Sequence, residues 1–358
     1  MQVSDSLQPL SPHAQERRTF LRTAGQIAAG GLAAAPAIAL TRSAAGQAPA
    51  AQGAGPVPTG YPSGRDVAVL RFLAAAEQIE TDLWQQYAEL AQNNHGYSEA
   101  LEKIDDDLGI YSVDVTEDEL SHARFINAYL KSIGEHPVDL SRFATIMPPP
   151  VDGLRQVGRL TNLTRLSIDT SYYLRYRSAE NPDFGFVPPQ IATIRGRPAI
   201  PTRNGLSDRE LSGIAQTAAF HFPSIEQGGT SLYDQFAPVI RSNEVVRIVS
   251  SIYATEAIHY AIFRDSLTGV TGFDSGDGTL MIPNLTEGRH ESSRVMPRPC
   301  DFLRRGLPKC AVIRPSSTAL AGARATAGAL KRSGLFTGQS PAFFAALGAL
   351  ADAADGIA

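Results

Sequence analysis

Apolar residues recur at helical spacing in four separate stretches of this chain. In the first, Val69, Leu73, Ala76, Leu83, Tyr87 and Leu90 fall on one face, with Asp66 placed to act as N-cap. A second helical stretch is predicted over roughly 112–133, ending at Gly134. A third starts at Ser207, where Ser207-x-x-Glu210 reads as a capping box, and runs to about 240. A fourth covers roughly 243–267 and stops before Gly269. The second and third are separated by some seventy residues that open with Pro148-Pro149-Pro150. A helix at about 153–178 and a Pro-rich, strand-prone stretch near 186–202 are expected within that connection. Four helices with one long crossover between helices 2 and 3 predict an all-α four-helix bundle. Beyond 270 the pattern weakens into a loop, then resumes as Ala-rich helical segments near 317–333 and 341–354, a C-terminal extension.

Two of these stretches repeat each other. Glu77-Gln78 followed by Leu83-Trp84-Gln85-Gln86-Tyr87-Ala88 lies over Glu226-Gln227 followed by Leu232-Tyr233-Asp234-Gln235-Phe236-Ala237. Each copy is followed by a Glu-x-x-His, Glu119 with His122 and Glu256 with His259. Internal repetition of such a pattern is harder to obtain by chance than either half alone. Residues three apart on a helix face the same way, so each Glu-x-x-His pair can reach one metal ion. A lone glutamate on the neighbouring helix completes a half-site. Two facing half-sites give four carboxylates and two imidazoles, a donor set that suits two iron or two manganese ions. Without cations or protons, burying those carboxylates would cost several kcal/mol each.

Other readings of these residues compete. Glu119 could close a capping box with Thr116 if the helix began there. Glu80 lies on the same face as Glu77 and is an alternative ligand, although the repeat favours Glu77. His95, His136, His221 and His290 lack partner spacing and read as surface, loop or core residues. Trp84, Tyr87 and Tyr233 read as core aromatics. Gly228-Gly229 falls mid-helix beside Glu226, where each glycine costs about 1 kcal/mol relative to Ala. The pair implies either close helix packing or a local bulge, or room beside the ligand for a substrate. Pro223 argues for a kink or a start within the same helix.

Composition narrows the function. The 358 residues are 43% hydrophobic with a net charge of −4, enough for a substantial core. No stretch is strongly basic outside the extreme N-terminus, so nucleic-acid binding has little electrostatic support. There, Arg17-Arg18-Thr19-Phe20-Leu21 precedes a weakly apolar Ala/Gly run and the small-x-small site Ala37-Ile38-Ala39. This reads as a twin-arginine signal peptide over 1–39, with the twin-arginine export machinery as partner and a periplasmic or secreted destination. The apolar run is short and Gly-broken, a poor membrane span. Residues 40–64 read as a flexible linker, 65–268 as the bundle with its crossover at about 135–206, and 269–358 as the extension. In an oxidising compartment, Cys300 and Cys310 would form one disulfide worth roughly 2–3 kcal/mol.

The set Glu77, Glu119, His122, Glu226, Glu256 and His259 resembles the ferritin-like superfamily, in its exported bacterial branch that includes desiccation-related proteins. Residues 160–178 also look like the crossover of that branch. The resemblance covers roughly 66–268 and implies a bundle binding two irons or manganeses. It does not imply one reaction, because such proteins include ferroxidases, oxygen-activating oxidases, manganese catalases and proteins without a known activity. The complete ligand set favours a di-metal oxidoreductase using oxygen or peroxide. The alternatives are a non-enzymatic stress or desiccation-related protein, and iron storage or detoxification in a hollow homo-oligomer. The long crossover and the tail depart from cage-forming ferritins and count against storage.

Overall fold

The computed structural model describes residues 61–175, 190–286 and 322–357. The signal peptide, most of the linker, both cysteines and His290 lie outside the described residues.

Helix α1 spans Gly64–Asn93. Its N-cap is Ser63, not Asp66, which occupies the third helical position and closes a capping box with Ser63. Buried Asp66 also accepts the Arg241 backbone N–H at 2.9 Å, tying the start of α1 to the loop before the last bundle helix. A short helix, α2 (His95–Glu102), turns the chain. Helix α3 then runs over Leu108–Ser132, starting earlier than its periodicity suggests. That start settles one competing reading. Thr116 lies inside α3 and donates to the Ser112 carbonyl at 2.6 Å, so Glu119 is not engaged in a cap.

The second half begins at α5 (Asp208–Phe236), whose Ser207–Glu210 capping box forms as its sequence implies. The helix continues through Pro223, so no new helix starts there. Helix α6 spans Asn243–Ser266 and is capped by Ser242. Helix α1 packs along α3, and α5 along α6. Aromatic contacts join the two pairs. Trp84 stacks on Phe263 at 5.0 Å between centroids and meets Phe222 at 4.9 Å. Phe72 of α1 meets Phe236 of α5 at 6.1 Å.

The crossover departs from its periodicity. The helix expected over 153–178 does not form; one turn, α4 (Tyr172–Arg175), is all that is helical among its described residues. Leu160, Leu163, Leu166 and Ile168 are buried at a spacing that imitates a helix. Their backbone instead bonds to distant segments: Ile146 with Arg159, Leu166 with Arg197, Asn162 with Leu335 and Ser167 with Ser333. Local polar side chains reinforce this, since Asn162 accepts the Thr164 N–H and Asp169 accepts the Ser171 N–H. Such bonds give the backbone an alternative to the helical ladder. The strand-prone stretch supplies β1 (Thr193–Ile194), which pairs antiparallel with β3 (Leu280–Ile282). β2 (Phe273–Asp274) completes a small sheet of order β1-β3-β2.

The extension folds back on the bundle. Helix α7 (Ala323–Arg332) has its first backbone N–H groups satisfied by Asp355, at 2.7 and 3.0 Å. Asp355 ends α8 (Pro341–Asp355), which packs along α1. Gln339 donates to the Phe143 and Leu160 carbonyls, locking extension to crossover. No helix among the described residues is long and apolar enough to cross a membrane.

Trp84 is fully buried where α1, α5 and α6 meet. Trp84→Ala should lower the unfolding free energy by about 3–5 kcal/mol. Chemical denaturation followed by far-UV circular dichroism measures it.

Candidate metal centre

Each bundle helix sends acidic or imidazole groups to one buried locus. Glu77 and Glu80 come from α1, Glu119 and His122 from α3, Glu226 from α5, and Glu256 and His259 from α6. Glu119, Glu226 and Glu256 are fully inaccessible, and none of the seven is more than 9% exposed. The Glu-x-x-His spacing works as its periodicity requires, since His122 Nδ1 lies 3.2 Å from Glu119 Oε2 on the same helix.

The groups form overlapping clusters. Glu77, Glu119, His122 and Glu256 offer ligand atoms within 4.8 Å of one another, as do Glu119, Glu226 and His259. Glu119 belongs to both: one oxygen is 3.2 Å from His122 Nδ1 and the other 3.1 Å from His259 Nδ1. Glu256 extends the first cluster, 3.6 Å from His122 Nδ1, and also joins Glu80, Glu119 and Glu226 in a third. Both candidate α1 glutamates therefore reach the locus. Glu77 faces His122 at 3.4 Å, whereas Glu80 sits among the carboxylates without an imidazole partner in those clusters.

Electrostatics show how costly this arrangement is without cations. Burial, only partly offset by His122 and His259 respectively, raises Glu77 and Glu226 to about 7. Burial and then the neighbouring carboxylates push Glu80 and Glu256 far above the usual range. Burial would also raise Glu119, but the two imidazoles outweigh it and hold that carboxyl low, at about 2. Burial opposes charge on His122, yet Glu119 and Glu77 outweigh it and raise the imidazole to about 10. Even so, Glu80 Oε1, Glu226 Oε1 and Glu256 Oε2 have no hydrogen-bond donor. Buried carboxylate oxygens left without donors are the acceptors a hard cation satisfies. The residues present thus fit a metal centre.

A family model described as a ferritin-like domain matches residues 65–269. The chain belongs to the ferritin-like family. No curated protein and no solved structure gives a match. The ferritin-like bundle places all six glutamate and histidine positions picked out by the repeat at its centre, together with Glu80.

Two further residues act on the cluster of this ferritin-like bundle. Asp118, one position before Glu119, accepts from or shares a proton with His259 Nε2 at 3.0 Å. That leaves Nδ1 facing the carboxylates and fixes the ring, as a carboxylate behind a ligating histidine does. Tyr233 donates its hydroxyl to Glu77 across the bundle. Its repeat position had marked it only as a core aromatic. The remaining histidines lie elsewhere: His95 is exposed and pairs with Glu99, and His221 is buried against the Tyr87 hydroxyl at 2.7 Å.

The glycine pair divides its work. A Cβ on Gly229 would overlap the Glu256 carboxylate, so only glycine lets that group lie against α5. A Cβ on Gly228 would meet nothing within 4 Å. Gly228→Ala should stabilise the fold by about 0.5–1 kcal/mol through helix propensity. Gly229→Ala should destabilise it despite the same propensity gain. Opposite signs in the two unfolding free energies are the expected result.

Proposed function

We propose that this chain is an exported di-metal oxidoreductase. In it, Glu77, Glu119, His122, Glu226, Glu256 and His259 hold two iron or manganese ions, and oxygen or peroxide is the oxidant. The observation that carries this reading is the convergence of carboxylates and imidazoles at a buried locus with donorless carboxylate oxygens. Two such ions, when bound, would supply electrons to the oxidant and accept them from a donor.

The protein's own groups have distinct tasks in this reading. Glu119, Glu226 and Glu256, which each belong to more than one cluster, would hold the ions together with Glu77, His122 and His259. Asp118 would orient His259 through Nε2. Four carboxylates balance two divalent cations in charge, so a fifth, Glu80, would keep its proton, as its burial already favours. Tyr233 would hold Glu77 in place by its hydroxyl. A surface groove of about 750 Å³ between α3 and α6 reaches His122, with Ser121, Arg247 and Thr255 along it, and gives small oxidants a way in. Export rests on Arg17-Arg18 and the Ala37-Ile38-Ala39 site, and the likeness of residues 160–178 supports placement in the exported, desiccation-related branch.

Protein matured through its native export route should contain two iron or manganese ions per chain by elemental analysis. A Glu256→Ala, His259→Ala double variant should lose most of them. Wild-type protein with less than one ion per chain that also fails to take up iron or manganese after stripping would overturn the reading. Stripped protein should also respond to pH. Because Glu77 and Glu226 have folded values near 7, above the ordinary carboxylate value, their contribution to stability is complete below about pH 4.5. It is lost as pH rises through 7. The melting temperature of stripped protein should therefore fall between pH 5 and pH 8, while that of loaded protein should not. Changing Arg17 and Arg18 to lysine should leave the precursor in the cytoplasm on cell fractionation.

A further inference from the structure

A cavity of about 360 Å³ lies on the side of the cluster away from the α3–α6 groove, between α1, α5, the crossover and the C-terminal extension. Its volume is that of a site for a small organic molecule. The walls are chiefly hydrocarbon. Ile79 and Leu83 come from α1, and Leu232 from α5. Leu166 and Ile168 come from the crossover segment that the sequence pattern mistook for a helix, and Leu330 and Leu347 from the two C-terminal helices. No lysine is among its described lining residues, and its only described cationic group, Arg332, is exposed. Arg332, Ser167 and Asp169 are exposed lining residues, so they mark where the cavity meets solvent.

The inner end meets the candidate metal centre. Glu80 lines the cavity, and its cluster oxygen lies within 4.8 Å of ligand atoms of Glu119, Glu226 and Glu256. It is 9% exposed, and its Oε1 lacks a hydrogen-bond partner. Gly228 and Gly229 line the same wall. At Gly228, the absence of any atom within 4 Å of a would-be Cβ shows open space at this point of the helix. A helix that carries two adjacent glycines, at about 1 kcal/mol each, gives up stability where it separates cavity from cluster.

We propose that this cavity binds a neutral, hydrocarbon-rich small molecule, an alkyl chain or fused aromatic ring, with one end against Gly228, Gly229 and Glu80. An anionic group is disfavoured because the described lining offers no buried cationic side chain to pair with it. The extension, otherwise without a role, supplies the wall that closes the site. That the bound molecule is the one oxidised rests on the oxidoreductase reading above. That it binds does not.

The test uses the mature exported protein and the neutral fluorophore 1-aminoanthracene, with decan-1-ol as competitor. Saturable binding of one probe per chain, displaced by decan-1-ol, is expected with and without metal. Gly228→Leu, which builds into open space, should weaken it at least tenfold while far-UV circular dichroism stays unchanged. Ala76→Leu on the facing wall should do the same. Gly348→Leu, on a helical glycine outside the cavity that also has open space around it, should leave binding unchanged. No saturable binding, or equal affinity in folded Gly228→Leu and Ala76→Leu proteins, would overturn the proposal. If the probe binds as described but the chain holds no metal, the cavity stands and the oxidoreductase reading falls. If metal is held and no probe binds, the reverse follows.

Discussion

Five glutamates and two histidines sit together in the interior of this bundle, and their burial is the constraint around which the rest is organised. A carboxylate withdrawn from water loses several kcal/mol of hydration, and its neighbours of like charge add to the penalty. The fold answers in three ways. The two imidazoles are drawn toward positive charge, and Glu119, which faces both, is held ionised. Glu77 and Glu226 are held near neutrality, and Glu80 and Glu256 toward their protonated forms. Several oxygens are still left with no donor, and those are the acceptors a cation satisfies. A cluster that strains the metal-free fold in this way is compatible with a metal site by the same physics.

The surrounding structure positions that cluster. The Trp84, Phe222 and Phe263 contacts join α1, α5 and α6, so the backbone positions of the acidic groups are set by a dense aromatic core. Asp66 ties the first helix to the loop before the last. Behind the cluster, Asp118 fixes the His259 ring, and Gly229 admits the Glu256 carboxylate against α5. The crossover and the extension add a second layer, bonded to each other backbone to backbone, that encloses an apolar cavity on one flank. The opposite flank opens as a groove at His122. The cluster therefore has two approaches, one on each flank.

The two halves repeat in sequence but not in every duty. Gln78 donates to the Val138 carbonyl and accepts the Leu140 N–H, pinning the start of the crossover. Its counterpart Gln227 bonds Ser231 on its own helix and lines the cavity. Trp84 packs in the core, whereas Tyr233 at the equivalent position puts a hydroxyl on Glu77. The repeated glutamates and histidines converge as equivalents, and the positions around them differ because one half faces the crossover and extension.

The amino-acid sequence by itself determined the helical bundle, the Ser207 cap and the six repeated acidic and imidazole positions. Those features depend on helical periodicity and on residues three apart, which are local properties. It misplaced the α1 cap by three residues, because Ser63 and Asp66 are both cap-forming and only the backbone tells the N-cap from the third position. It read residues 153–178 as helix because buried leucines happen to fall at helical spacing, while the competing hydrogen bonds run to segments far along the chain. Only the tertiary structure decided that Glu80 joins Glu77, that Asp118 and Tyr233 support the cluster, and that the C-terminal helices wall a cavity beside it. Each of these depends on which helix faces which across the bundle, and no pattern within a single helix encodes that.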